Sequence, residues 1–184
     1  MRLCGACLTD PPSFDQALAA VDYAHPWSTL IPQFKFHETL DLAPALSALL
    51  ADAQRRSGAL PPPLVLPVPL SPQRLRERGF NQAWEITRRL AHVLHLKADA
   101  GLLLRVKDSP HQLALPPEQR AANVRNAFAV EPLRLAELKG RAVAVVDDVM
   151  TTGATFGEIA RVLKQAGASR VEAWALARTP RPAG

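Results

Sequence analysis

No apolar run in the sequence approaches the ~20 residues that a membrane-spanning helix needs. The first ten residues, MRLCGACLTD, lack the apolar core of a secretory signal. Both absences lead us to expect a cytoplasmic protein with no membrane insertion. Internal repeats are missing, and so is any linker long enough to separate two large domains. Cysteine is nearly absent: Cys4 and Cys7 form one CxxC and there is no other thiol. In a reducing compartment that spacing reads as metal or redox chemistry, not as a disulfide framework.

What is present suffices for one packed domain. The chain has 184 residues, 48% of them hydrophobic, so disorder is excluded as its ground state. Proline occurs 17 times, but six of these fall between Pro61 and Pro72, which marks a single segment. The net charge of +5 is also local. From Gln73 to Asn126 there are ten Lys/Arg against five Asp/Glu, and the remainder balances at twelve of each. A basic middle third suits phosphate groups or a nucleic acid, or is simply a solvated surface.

Periodicity places the elements. Residues 41–55 predict a helix, with Asp41 as N-cap and Pro44 in its first turn. Leu64–Val68 predicts a short buried strand that ends in proline turns. Residues 80–95 predict a helix with Ala83, Ile86, Leu90, Val93 and Leu94 on one face. Residues 102–108 look extended, 109–119 read as a proline-broken loop, and 118–128 predict a helix. After a turn at Lys139-Gly140, the stretch RAVAVVDD has the continuous apolar character of a parallel strand buried on both faces. A helix over 155–167, C-capped by Gly167, and a strand over 169–178 complete a βαβ unit, so the fold class is α/β.

The stretch VAVVDDVMTTGAT, residues 143–155, carries the chemistry. Ligands bind outside the carboxyl ends of parallel strands, where Asp147 and Asp148 stand. The loop beyond them feeds a helix N-terminus, whose N–H groups and dipole hold anions. Thr151, Thr152 and Thr155 add hydroxyl donors, Gly153 lets the backbone close around a phosphate, and Ala154 belongs to the same binding loop. The carboxylates only accept hydrogen bonds, so they suit sugar hydroxyls or hydrated Mg²⁺. A phosphate, a neighbouring diol and a magnesium-bound polyphosphate occur together in 5-phosphoribosyl 1-pyrophosphate (PRPP).

The order of apolar strand, Asp-Asp, threonine-glycine loop and helix resembles the PRPP motif of type I phosphoribosyltransferases. The segments LPVPLSPQRLRERGFNQAWEITRRLA (66–91) and RVKDSPHQLALPPEQRAANVRNAF (105–128) resemble the signatures of the ComF family of competence-related, phosphoribosyltransferase-like proteins. In the second, Arg105, Gln112, Leu115, Arg120, Asn123, Val124, Arg125 and Phe128 are in register. The stretch FKFHETLDLAPALSALL, residues 34–50, is similar to the segment before the family's first long helix. The resemblance implies a type I phosphoribosyltransferase-like fold: a central, mostly parallel sheet flanked by helices, with a small N-terminal hood segment. It implies that Pro69 and Leu70 meet the pyrophosphate beside Arg74 and Arg78, and that residues 109–119 close over the ligand. Asp147 and Asp148 would be the catalytic pair and would hold Mg²⁺ indirectly. Lys35 either faces the site or is an exposed helix or turn lysine.

The same resemblance sets the remaining expectations. Family members carry an N-terminal zinc finger of two CxxC-type pairs, so residues 1–9 read as its second half only, and residues 10–184 as the phosphoribosyltransferase-like domain. Zn²⁺ at Cys4 and Cys7 would then need the missing half. His92 and His95 have metal spacing on a helix but no acid or thiol near in sequence to complete a site. Met150-Thr151 stands where purine-type enzymes carry a third acid as general base. Three functions follow: a PRPP-binding protein in DNA uptake or use of imported DNA, with single-stranded DNA and a competence helicase or translocase as partners; an active phosphoribosyltransferase that releases pyrophosphate; or a non-catalytic PRPP-sensing regulator. Arg74, Arg76, Arg78, Arg88 and Arg89 would carry nucleic-acid binding. Trp84 and Trp174 read as core, and Trp27 as the exposed tryptophan.

Overall fold

The computed structural model describes Thr9 and residues 11–36, 40–107 and 124–180. Cys4, Cys7, most of the 1–9 segment and the whole of the 109–119 loop lie outside them. A five-stranded sheet organises the chain. Its strands are β1 (Gln16–Asp22), β2 (Leu64–Pro67), β3 (Lys97–Ala98), β6 (Ala142–Met150) and β7 (Arg170–Arg178), in the order β1-β7-β6-β2-β3. Every pairing in it is parallel. A separate antiparallel ribbon joins β4 (Leu103–Arg105) to β5 (Phe128–Val130). The N-terminal segment is built into the main sheet: β1 pairs with β7 from Gln16↔Glu172 to Asp22↔Arg178.

Helices cover both faces, as parallel sheets require. On one face, Val143, Val145, Leu64, Leu66 and Ala173 pack against Phe156, Ile159, Ala160 and Leu163 of α5 (Ala154–Gln165), with the β4/β5 ribbon closing the side. On the other, Val65, Ala144, Val146, Trp174 and Leu176 meet three helices. These supply Ile31 and Phe34 of α1 (Trp27–Phe36), Leu46 and Leu50 of α2 (Ala43–Ser57), and Ile86 and Leu90 of α4 (Gln82–Leu94). Each such side chain contributes about 1.5–3 kcal/mol of burial. A short helix, α3 (Pro72–Arg78), links β2 to α4, and 3-10 turns occupy Leu40–Leu42 and Pro132–Leu138. Among the described residues no helix is long and apolar enough to cross a membrane.

Several local expectations give way to packing. The N-cap of α2 is Leu42, not Asp41: the 3-10 turn Leu40–Leu42 runs directly into the helix, and no side chain caps it. The described part of 118–128 is not helical beyond Val124: a turn follows, and Phe128 is recruited as a strand residue opposite Arg105, whose guanidinium lies 5.4 Å from the Phe128 ring. The C-cap of α5 is Ala166. Gly167 follows it at φ 101°, in the left-handed region, and a side chain there would press on the Lys139 backbone at 3.4 Å. Val93 is exposed, on the cleft side of α4, while Leu94 in the same turn packs against the core. Trp174 is core, but Trp84 is only half-buried on the flank of α4, and Trp27 packs partly against the α1 side of the core.

Candidate functional site

The site forms where β6 outruns β2. Pairing of β2 with β6 ends at Pro67↔Val146, with one further bond from the Val68 N–H to the Val146 carbonyl at 2.8 Å. On its other side β6 continues with β7 to Met150↔Arg178. Asp147 and Asp148 therefore lie inside the strand, at the edge where β2 no longer covers it. The strand end is held by Thr179, whose N–H donates to the Met150 carbonyl at 3.0 Å.

The chain then reverses into α5. Gly153 is its N-cap at φ 83°, a conformation that L side chains rarely adopt, and the Phe14 ring lies 3.6 Å from where a Cβ would stand. The Ala154 N–H donates to Thr152 Oγ1 at 3.3 Å, and the first helical bond runs from the Gly157 N–H to the Gly153 carbonyl at 2.8 Å. Thr151, Gly153, Ala154 and Thr155 are half-buried and Thr152 is exposed. The predicted phosphate loop is thus a glycine-opened helix start at the carboxyl end of the sheet, the arrangement that binds anions.

The two acids are unequal. Asp148 is 2% exposed. Its Oδ1 accepts the Val149 N–H at 3.0 Å, and its Oδ2 lies 3.0 Å from Lys35 Nζ of α1, as an ion pair without hydrogen-bond alignment. Asp147 is half-buried, and its Oδ1 accepts the Asp148 N–H at 2.9 Å. Burial raises both carboxyl groups, but for Asp148 the Lys35 ammonium outweighs it and holds the group below the usual carboxylate value. For Asp147, burial and the Asp148 charge together push it well above that value, with Lys35 opposing. Burial works against the Lys35 charge, yet Asp148 and Asp147 hold it above the ordinary lysine value.

A second cation arrives from α3. Ser71 caps this helix by accepting the Arg74 N–H at 3.3 Å. Arg74 and Arg78, one turn apart, are both half-buried, whereas Arg76 points outward and is exposed. Burial pulls Arg78 below the ordinary guanidinium value, Asp148 acts the other way, and Arg74 lowers it again. That balance places Arg78 within electrostatic reach of both acids and of Arg74. Its Nη1 donates to Gln82 Oε1 at 2.6 Å. The intervening loop is anchored by Asn81, whose Nδ2 donates to the Val68 carbonyl at 3.1 Å. Pro69 is buried and Leu70 half-buried in that loop.

The structure therefore gathers Asp147, Asp148, the 151–155 loop, Pro69, Leu70, Arg74 and Arg78 around one strand end. Lys35 joins them. Its signal in the sequence is that it is the one charged residue of WSTLIPQFKF, but its partner acid comes from a distant strand. Arg88 and Arg89 stand apart from the acids. Both donate to Glu85 Oε2, at 2.6 and 2.5 Å, beside a shallow cleft of about 490 Å³ lined by Pro44, Ser47, His92 and Val93. His92 and His95 are exposed, and among the described residues no three His, Cys, Asp or Glu side chains cluster as a metal cage.

Residues 91–184 match the phosphoribosyl transferase domain family. The chain is 38% identical over 180 residues to the DNA utilization protein YhgH of Escherichia coli strain K12, covering 96% of this chain and 78% of that protein. It is 38% identical to the YhgH protein of Salmonella typhi with the same coverage, and 36% identical over 179 residues to competence protein F of Haemophilus influenzae, covering 95% and 78%. With a parallel strand that delivers two acids to a glycine-opened helix start, and with relatives this similar along almost the whole chain, the protein belongs to the phosphoribosyl transferase domain family, within its ComF group.

Proposed function

We propose that this protein binds PRPP, or a closely related phosphoribosyl ligand, and acts in DNA uptake or utilization, as the names of its relatives indicate for them. The observation that carries the PRPP reading is the strand end that sets Asp147 and Asp148 between the 151–155 loop and Arg78. Thr151, Thr152, Gly153, Ala154 and Thr155 would hold the 5′-phosphate. The acid pair would form the ribose side of the site, and the Pro69-Leu70 loop with Arg74 and Arg78 would meet the diphosphate through charge-assisted hydrogen bonds.

The residues fit a Mg²⁺ that arrives with its ligand, not one caged by protein. Both Asp148 oxygens are engaged and Lys35 already supplies a positive charge there, so Asp147 is the acid left to meet a metal-bound water. Bound Mg²⁺ would offset the diphosphate charge. Zinc at Cys4 and Cys7 would need two more ligands, as its tetrahedral sites do. Single-stranded DNA is the expected macromolecular ligand, with a helicase or translocase as its protein partner in the cytoplasm.

Isothermal titration with PRPP, with and without Mg²⁺, tests the ligand. We expect magnesium-dependent binding that the Asp147→Asn/Asp148→Asn double variant loses. Wild-type protein that fails to bind would remove the PRPP reading. Release of pyrophosphate in the presence of nucleobase or amine acceptors would add catalysis to binding.

A further inference from the structure

Two adjacent acids at a strand end invite the assumption that both do one job, yet their surroundings differ. Asp148 is almost wholly covered, with one oxygen on the Val149 N–H and the other facing Lys35 at 3.0 Å. Asp147 is the more exposed of the two, and its Oδ1 accepts only from the backbone of its neighbour among the hydrogen bonds described. Lys35 reaches the acids from α1, whose neighbouring Ile31 and Phe34 are 2% and 0% exposed. The lysine stem therefore runs along apolar surface, and only its tip meets charge. The lysine side chain is 25% exposed, and a partly buried charge without a counter-ion is costly. The pair also ties α1 to the end of β6, one layer of the fold to another.

We propose that Lys35 divides the labour of the acid pair: it claims Asp148, so that Asp148 and Lys35 are positioning residues, while Asp147 is the acid that accepts from the sugar hydroxyls. The inference rests on the phosphoribosyl reading of the site. A ligand diol needs an acceptor that solvent can reach, and Asp148 is 2% exposed. The Lys35–Asp148 pair fixes the turn of the strand that presents Asp147 to the 151–155 loop. Arg78, which reaches both acids electrostatically, comes from α3 and so does not substitute for the tie to α1.

The test is calorimetric titration with PRPP and Mg²⁺, run beside thermal melts, on wild type, Asp147→Asn, Asp148→Asn, Lys35→Met and Lys35→Met/Asp148→Asn. Competition between ribose 5-phosphate and 2-deoxyribose 5-phosphate reports hydroxyl recognition, which a purely structural role would not change. Asp147→Asn is expected to weaken PRPP at least tenfold without lowering the melting temperature, and to erase the preference for the ribose compound. Asp148→Asn and Lys35→Met each lower the melting temperature but keep that preference. The double variant, which removes both members of the Lys35–Asp148 pair, melts above both single variants and binds PRPP within a few-fold of wild type. Equal loss of binding and of ribose preference in well-folded Asp147→Asn and Asp148→Asn proteins overturns the division while leaving the phosphoribosyl reading intact. A double variant no better than its parents also overturns it. If wild type binds no PRPP, the reading itself falls and takes the division with it.

Discussion

Asp147 and Asp148 respond to pH in opposite directions. Asp148 sits below the usual carboxylate value in the folded protein because Lys35 outweighs its burial. Its stabilising contribution is therefore present above the unfolded value, about 3.9, and is lost as pH falls through the depressed folded value. Asp147 is raised, chiefly by burial and then by Asp148. A raised acid favours folding below its unfolded value, and that contribution disappears as pH rises through the folded value. The charged form of Asp147 is thus held at the expense of stability, as functional residues often are. Removing it should help the ligand-free fold. Asp147→Asn is expected to raise stability by about 0.5–2 kcal/mol at pH 7, with the gain shrinking at a pH below about 4, where the carboxyl is protonated in both states. Denaturant melts at the two pH values check this. A loss of stability at pH 7 would show that Asp147 is held by a contact beyond those described.

At the scale of elements, the unit β6, α5 and β7 was legible in the sequence, since each strand is dominated by apolar residues and the loop between them carries its own punctuation. Strand β1 was not. QALAAVD has no clean alternation, and what makes it a strand is parallel pairing with β7, far away in the chain. Helix α1 was hidden by Pro32 and a weak apolar stripe. For that reason Lys35 facing the site was one of two readings of the sequence, and its partner, Asp148, emerges only from the fold. Asn81 is a residue that neighbouring elements share. Asn81 caps α4 by accepting the Ala83 and Trp84 N–H groups at 2.9 and 3.4 Å, and its Nδ2 ties the helix to the end of β2. Asn81→Ala should cost about 1–2 kcal/mol for the lost cap, and should also weaken PRPP because the Pro69–Arg78 segment loses its anchor. Asn81→Asp keeps the cap but not the donor to Val68. It is expected to retain most of the stability while binding PRPP as poorly as the alanine variant. Denaturant melts and calorimetry on both proteins separate the two roles, and an aspartate variant that binds normally would show that the tether is dispensable.

For the whole molecule, the question is where a basic excess remains once internal pairing is counted. Much of the cationic surface is already matched. Arg88 and Arg89 share Glu85, Arg134 bridges Asp99 and Glu137, Arg161 pairs with Glu158, and Arg170 with Glu172. Such pairs reduce the field that a nucleic acid would meet from the C-terminal layer and from the α2/α4 cleft. Helix α3 carries Arg74, Arg76 and Arg78 within two turns and one acid of its own, Glu77, which accepts from Gln73 Nε2 at 2.8 Å. Arg78 lies within electrostatic reach of the acids with Arg74 beside it, and Arg76 is exposed, so the same helix can serve a phosphoribosyl diphosphate with one face and a polynucleotide with the other. Affinity for single-stranded DNA should fall steeply with salt, with a slope near 0.7 for each phosphate neutralised. Arg76→Ala is then expected to weaken DNA binding and lower that slope by about 0.7, with PRPP affinity unchanged. Arg134→Ala, which breaks an internal pair away from α3, should leave the slope as it is. Fluorescence anisotropy of a labelled oligonucleotide across a salt series gives both slopes. If the slope responds instead to Arg88→Ala and Arg89→Ala and ignores Arg76, the nucleic acid runs along the α2/α4 cleft, and the phosphoribosyl site and the DNA track are separate surfaces.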